Sequence, residues 1–371
     1  MSKKLILFSY DFPPSNGGIA RLCHEIAVGM QEYYQEVIVL TRTSQEENKP
    51  YNFESVTIIQ LPEKRIKCEL AALNYLRKIK NKKQVDVLCG VWHPEASLAL
   101  LAGFKNVFIL GHGTEFLDGG SNFRKKIWFP FYAKRIFGKA KLTIANSEYT
   151  KGLINKINPL AKTVALPLGV NEVFFSPTSK KSFDLNYLKI ATLSRILKFK
   201  GYDFIAKAIA SLPVEIKSKI VWNIGGKGPY LNELKNLVNE LKIEDNVVFH
   251  GYISDNDLPN FYNSNDIFVL CTRESAQSIE VEGFGLVFLE AQSCGVPVIG
   301  TNTGGIPSAI SHNNGGWLIE QDNVVELQDV LKKCVLDRNV LENQSVLARK
   351  RVVENCTWTI YNKELKKLLQ S

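Results

Sequence analysis

Apolar residues along the first half of the chain alternate between two spacings. Short β-branched or aliphatic runs fall at 5–9, 37–40, 56–61, 85–89, 107–110, 142–145 and 163–166. Between them, apolar positions recur at helical spacing in 19–33, 68–79, 94–104 and 124–137. Runs this continuous need cover on both faces, and helices between successive strands supply it, so the pattern predicts a parallel sheet. Residues 166–184, LPLGVNEVFFSPTSKKSFD, break the rhythm with prolines, a glycine and polar residues, and a linker is expected at 171–184. Strand-like runs resume at 188–193, 220–224, 247–250, 267–270 and 296–300, with helical spacing at 202–209, 230–241, 257–263 and 286–293. Helical segments at 324–336, 340–355 and 357–369 end the chain. The expectation is an α/β protein of two doubly wound parallel-sheet domains, 1–170 and 185–355, with the terminal helix, 356–371, packing back on the first. In open sheets of this kind, ligands bind beyond the carboxyl ends of the strands.

Composition adds little to this picture: 371 residues, 45% of them apolar, suit two globular domains with ordinary cores. Charge adds more. Residues 1–170 carry 24 basic and 14 acidic side chains and residues 171–371 carry 22 and 23, so the net +9 belongs to the first domain. Seven cations and no acid lie in 122–141, interleaved with aromatics; eight cations against Glu69 lie in 64–83. Basic residues with aromatics on a helix favour an anionic membrane surface, and Arg124, Lys125, Lys126, Trp128, Lys134 and Arg135 are the candidates. The bland alternative is a helix with core aromatics and solvated lysines. No nucleic-acid recognition module is discernible.

The start of the chain lacks the form of a signal peptide, and 91–111 contains His93, Glu95 and Lys105, so no membrane span is expected and a cytoplasmic chain is. The seven cysteines are nowhere closer than 21 residues, which excludes CxxC pairs; Cys89, Cys271 and Cys294 read as reduced core thiols.

Three constellations carry candidate chemistry. Gly17 and Gly18 lie between the first strand and the first helix, where backbone N–H groups and the helix dipole favour an anion, or where the loop is merely tight. Arg195 and Lys200 follow the strand ending near 193 and suit a diphosphate, or form a solvated basic loop. Glu290 projects from an apolar helix; a ribose diol would satisfy it, or nearby backbone would. Gly283 and Gly285 precede that helix and leave its first N–H groups available.

In order and spacing, PPSNGG at 13–18, GHGTEF at 111–116, LSRILKFKGYD at 193–203, GGKGPY at 225–230, FHGYISDNDLPNFYNSNDIFVL at 249–270 and EGFGLVFLEAQSCGVPVIGTNTGG at 282–305 resemble the retaining family-4 glycosyltransferases. The resemblance implies a GT-B fold, two Rossmann-like domains facing across a cleft. It implies transfer of a hexose from a UDP- or GDP-sugar, with retention, to a saccharide or lipid-linked hydroxyl. By motif, Arg195, Lys200, Gly17, Gly18 and the backbone of Gly285, Leu286 and Val287 would hold the donor's phosphates, with Phe284 also among the donor-binding residues. Glu290 would take the ribose, Glu282 the donor sugar, Gly251 and Tyr252 the base, and His112 would lie close to the reacting centre. A bacterial surface polysaccharide or glycolipid made at the inner face of the membrane fits this reading. An epimerase of the same fold and a non-catalytic sugar-nucleotide-binding subunit are the rivals.

The chain departs from the family pattern at Asn171, at Lys227 and in the added polar stretch 274–281. Asp255-Asn-Asp257 has the DxD form of a metal site, but Ser254 and Asp255 precede a helical pattern and read as caps. His24, His93, His250 and His312 lack ligand spacing, so neither a metal nor another cofactor is expected.

Overall fold

A computed structural model describes residues 4–15, 17–42, 56–178, 183, 186–275 and 279–371. The chain divides into two compact units, Met1–Leu168 with Trp358–Ser371, and Gly169–Thr357.

In unit 1, seven parallel strands, β1 (Lys4–Phe8), β2 (Glu36–Arg42), β3 (Val56–Leu61), β4 (Val85–Cys89), β5 (Val107–Gly111), β6 (Leu142–Ala145) and β7 (Thr163–Ala165), run in the order β3-β2-β1-β4-β5-β6-β7. The central strands are buried on both faces, as at Leu5, Ile6, Leu7 and Phe8, which is why they read as continuous apolar runs. Helices α1 (Gly18–Gly29), α2 (Arg65–Lys78), α3 (Ser97–Leu101), α4 (Lys134–Lys139) and α5 (Glu148–Ile157) connect them. The expected helix over 124–137 is continuous but changes pitch, with a π-type segment at Arg124–Ala133 running directly into α4. Pro130 lies inside the π-type segment and has no N–H to give an α ladder. The sequence reading missed α5, whose start is set by Ser147 Oγ accepting from Thr150 N at 3.2 Å.

Unit 2 alternates β8 (Leu188–Leu193), α6 (Tyr202–Ala210), α7 (Val214–Lys217), β9 (Ile220–Gly225), α8 (Leu231–Glu240), β10 (Val247–Gly251), α9 (Leu258–Asn263), β11 (Ile267–Leu270), α10 (Leu286–Ser293), β12 (Val298–Thr301), α11 (Ile306–Ala309), β13 (Gly316–Ile319), α12 (Val324–Leu336) and α13 (Arg338–Asn355). The six strands are parallel, in the order β10-β9-β8-β11-β12-β13. Strand β13 was also missed, because the polar, glycine-rich run before it leaves only Trp317, Leu318 and Ile319 as an apolar stretch; it pairs with β12 from Val298↔Gly316, and a Cβ at Gly316 would collide with the Val298 carbonyl oxygen.

The last helix, α14 (Trp358–Gln370), belongs to unit 1. Asn362 Nδ2 donates to the Glu25 carbonyl oxygen of α1 at 3.0 Å, over Gly29, where any Cβ would meet the Asn362 amide. All seven cysteines are free and buried.

Candidate functional site

The residues singled out in unit 2 gather at the carboxyl ends of its strands. Between β8 and β11 the strand order reverses, and the loops that follow these two strands interlock. Arg273 N donates to the Phe199 carbonyl oxygen at 2.6 Å. Gly201, at φ +77°, packs so closely that a Cβ would strike the Cys271 carbonyl oxygen. The Arg273 guanidinium forks to Asp203 and Asp322, each at 2.6 Å, tying the post-β11 loop to α6 and to the turn after β13. In this frame Lys200 Nζ donates to Glu282 Oε2 at 2.6 Å, with both side chains largely buried. The expected phosphate ligand and the expected sugar ligand are thus an ion pair, which sequence spacing did not signal. Arg195 is exposed and makes no ion pair among the described residues.

Beside them α10 follows Gly285, φ +91°, with no side-chain cap on its first turn, so Leu286 and Val287 open the helix with backbone N–H groups. Phe284 is buried behind this turn. One turn on, Glu290 is buried, and Tyr262 OH donates to its Oε2 at 2.8 Å. Neither alternative read from sequence included this side-chain donor. Two strands away, at the end of β10, Gly251 has φ +70°, Tyr252 is exposed, and Lys227 Nζ lies 5.9 Å from the Tyr252 ring centroid. Gly226 and Gly228 are dictated by backbone approach, since a Cβ at either would hit the carbonyl oxygen of Ser194 or Ile196. Lys227 between them needs no such freedom.

Unit 1 presents its singled-out residues in the same way. Gly17, φ +144°, precedes α1, and Gly18 is its first residue; Asn16 lies outside the described residues. His112 follows β5 and is held at three points. Its N donates to Glu115 Oε1 at 2.6 Å, its carbonyl oxygen accepts from Asn146 Nδ2 at 3.0 Å, and its Nε2 is 2.6 Å from the Gly90 carbonyl oxygen. A carbonyl partner requires a proton on Nε2 and leaves Nδ1 as the other nitrogen of the ring.

The whole length of this arrangement has relatives. The family described as Glycosyltransferase Family 4 matches residues 16–174, and that described as Glycosyl transferases group 1 matches 177–351. The chain belongs to the family-4 glycosyltransferases. It is 30% identical over 220 residues to the GDP-mannose-dependent alpha-(1-6)-phosphatidylinositol monomannoside mannosyltransferase of Mycobacterium tuberculosis, spanning 57% of each chain. With the protein of the same name from Mycolicibacterium smegmatis the identity is 25% over 386 residues, 98% of each chain. The crystal structure of Anabaena Alr3699/HepE in complex with UDP and glucose has a TM-score of 0.77 to this chain at 17% identity, over 99% of each. That likeness shows the fold, GT-B.

The glycosyltransferase departs from sequence expectation around its loops. Asn171 Oδ1 accepts from Val173 N and Phe174 N at 3.2 and 2.9 Å, turn contacts an Asp would also make. Ser254 does not cap backbone; its Oγ donates to Asp257 Oδ2 at 2.6 Å. Of the stretch 274–281, residues 276–278 lie outside the described residues, while Glu274 N donates to Gln321 Oε1 at 2.8 Å and Glu274 Oε2 accepts from Gly304 N at 3.2 Å. Among the described residues no group of three or more His, Cys, Asp and Glu side chains is arranged to hold a metal ion.

The cationic segment of unit 1 is sorted by the fold. Trp128 turns inward and stacks with Trp92, His93 and Tyr132. Arg124 Nη1 donates to the Leu117 carbonyl oxygen at 2.6 Å, and Lys125 pairs with Asp118 at 3.4 Å. Lys126, Lys134 and Arg135 are exposed. The outward apolar residues are Phe123, Ile127 and Phe131, which the sequence reading did not separate from the buried aromatics. Among the described residues no helix is long and apolar enough to cross a membrane.

Proposed function

We propose that this glycosyltransferase moves a hexose, with retention and without a metal ion, from a UDP- or GDP-sugar to a hydroxyl of a saccharide or lipid-linked acceptor in bacterial surface polysaccharide or glycolipid synthesis. The observation that carries the donor side is the Lys200–Glu282 pair at the strand reversal of unit 2, beside the uncapped start of α10. A departing nucleoside diphosphate needs positive charge more than it needs a nucleophile, and Lys200, the exposed Arg195 and the α10 N–H groups supply it. On donor binding the phosphates take over Lys200, and Glu282 turns to a sugar hydroxyl. Glu290, oriented by Tyr262, takes the ribose, and the backbone at Gly251 and Tyr252 meets the base. In unit 1, the α1 start at Gly17 and Gly18 faces an anionic group, and His112 offers Nδ1 at the reacting end. The departing phosphate oxygen accepts the acceptor's proton, and attack from that same face retains configuration. Relatives named for GDP-mannose and a structural neighbour holding UDP keep both bases in the reading.

The acceptor side is read as membrane-facing. Phe123, Ile127 and Phe131 are spaced four residues apart on a widened helix and therefore share a face. Lys126, Lys134 and Arg135 lie around them, and α2 adds exposed Ile66 and Leu70 beside Lys64 and Lys67. Apolar residues beside cations suit an anionic bilayer, and this supports the reading of an enzyme that works at the inner face of the membrane.

The deciding experiment is turnover of labelled UDP- and GDP-sugars by Lys200→Ala and Glu290→Ala. Both variants are expected to lose at least about 100-fold; wild-type turnover in both overturns the site. Product configuration by NMR, with and without a chelator, tests retention and metal independence.

A further inference from the structure

Arg273 and Glu274 stand where the chain departs from the family pattern after β11, and neither has a part in the donor contacts proposed above. Strand β11 lies between β8 and β12, and the two side chains go to the loops of these opposite neighbours. On the β8 side, Arg273 Nη1 donates to Asp203 Oδ1, at the start of α6 just past Lys200, and the Arg273 amide donates to the carbonyl oxygen of Phe199, just before it, both at 2.6 Å. On the β12 side, Glu274 Oε2 accepts from Gly304 N at 3.2 Å, and the next amide, Gly305 N, donates to the Glu282 carbonyl oxygen at 2.8 Å. The two glycines leave no slack. A Cβ on Gly304 would strike the Glu282 carbonyl oxygen, and one on Gly305 the Gly283 carbonyl oxygen.

Both residues are themselves held. The carbonyl oxygen of Thr272, just before them, accepts from Thr301 Oγ1 at 2.5 Å and from Thr303 Oγ1 at 2.9 Å. The turn after β13 adds two contacts: Asp322 Oδ1 accepts from Arg273 Nε at 2.6 Å, and Gln321 Oε1 accepts from the Glu274 amide at 2.8 Å. A guanidinium forked between two carboxylates fixes direction as well as distance. The segment 272–274 is thus a strut, braced by β12 and β13 and ending on one side at the Lys200 loop and on the other at the backbone of Glu282.

We propose that Arg273 and Glu274 are positioning residues that set the separation of Lys200 and Glu282. Arg273 holds the loop that bears Lys200; Glu274, through Gly304 and Gly305, holds the backbone of Glu282. In the free protein the 2.6 Å contact between Lys200 Nζ and Glu282 Oε2 also joins the two. Once a phosphate has taken Lys200 that contact is gone, and the strut keeps the two side chains at the spacing the donor needs. The consequence for transfer rests on the reading of Lys200 and Glu282 as donor ligands; the strut does not.

The test combines amide hydrogen exchange of the full chain, read on the peptides containing Gly304 and Lys200, with kcat and KM for UDP-glucose and GDP-mannose and calorimetric affinities for UDP and GDP. Glu274→Ala removes a charged acceptor and is expected to speed exchange in the Gly304 peptide by about tenfold. Its kcat is expected to fall by about 10- to 100-fold, with UDP and GDP affinities unchanged because neither carries the sugar. Glu274→Gln keeps an acceptor for Gly304 N and is expected to recover most of both losses. Arg273→Met is expected to speed exchange in the Lys200 peptide and to weaken UDP and GDP binding by about tenfold. Arg273→Lys, which keeps the charge but not the fork, is expected to fall between Arg273→Met and wild type. Thermal unfolding confirms that each variant is folded. Wild-type exchange in Glu274→Ala overturns the strut. Faster exchange with wild-type kcat in Glu274→Ala overturns the positioning role, as does a kcat in Glu274→Gln no higher than in Glu274→Ala. If Lys200→Ala keeps turnover while exchange behaves as described, the functional reading falls and the strut stands.

Discussion

Lys200 and Glu282 illustrate how one contact serves two states. In the free protein, each keeps the other from being a lone charge in a mostly buried setting. A bound diphosphate replaces Glu282 as the partner of Lys200, so Lys200→Met is expected to reduce kcat by about 100- to 1,000-fold, read by labelled-donor turnover. Tyr262→Phe removes a buried donor to Glu290; a loss of about 1–3 kcal/mol in urea unfolding is expected, together with weaker nucleotide binding. Glu95 yields a pH dependence of known sign. Its folded value, about 8, lies above the ordinary 4.5, so between these the folded chain holds a proton that the unfolded chain has released. Stability contributed by that proton is present below about 4.5 and falls as pH rises, by up to about 1.4 kcal/mol per unit, until about 8. Urea titrations of wild type and Glu95→Gln check this: the variant's slope is expected to be shallower over that window. All of these residue types were visible in the sequence. Their pairings were not, because Lys200 and Glu282 are 82 positions apart and meet only once β8 and β11 are neighbours.

At the scale of elements, the loops at the carboxyl ends of unit 2 are held by glycines that permit backbone contact. Gly201→Ala adds a Cβ against the Cys271 carbonyl oxygen at a positive φ. A loss of about 1–3 kcal/mol is expected from the backbone alone, measured by thermal unfolding, and donor affinity falls with it because Lys200 is the adjacent residue. Most strands and helices were legible from spacing, since a strand buried on both faces must be apolar throughout. The exceptions have local causes: β13 offers only three apolar residues after a polar, glycine-rich run, α5 buries few apolar residues and announces itself only through its Ser147 cap, and Pro130 widens what reads as one helix.

Over the whole molecule, the basic surplus of the first 170 residues resolves into different roles. Arg124 and Lys125 are engaged with neighbouring groups, whereas Lys126, Lys134 and Arg135 are exposed around Phe123, Ile127 and Phe131. At about 1 kcal/mol per cation near an anionic surface, neutralising these three is expected to weaken sedimentation with anionic liposomes by roughly 100-fold, with nucleotide binding unchanged. Phe131→Ser is expected to weaken it further at high salt, where the apolar term dominates. Unchanged sedimentation in both variants removes the membrane reading.

The order of strands and helices, the two-domain plan, the family and the residue types of the candidate site follow from the sequence alone, because periodicity and motif spacing are local properties of the chain. Which of those residues meet is a tertiary property. Parallel strands bring together groups tens of residues apart, as with the Tyr262 hydroxyl and Glu290 or the Tyr10 amide and Glu95. Burial then decides which cations and aromatics turn inward and which face solvent, and it alone makes an ordinary glutamate an acid that titrates near 8.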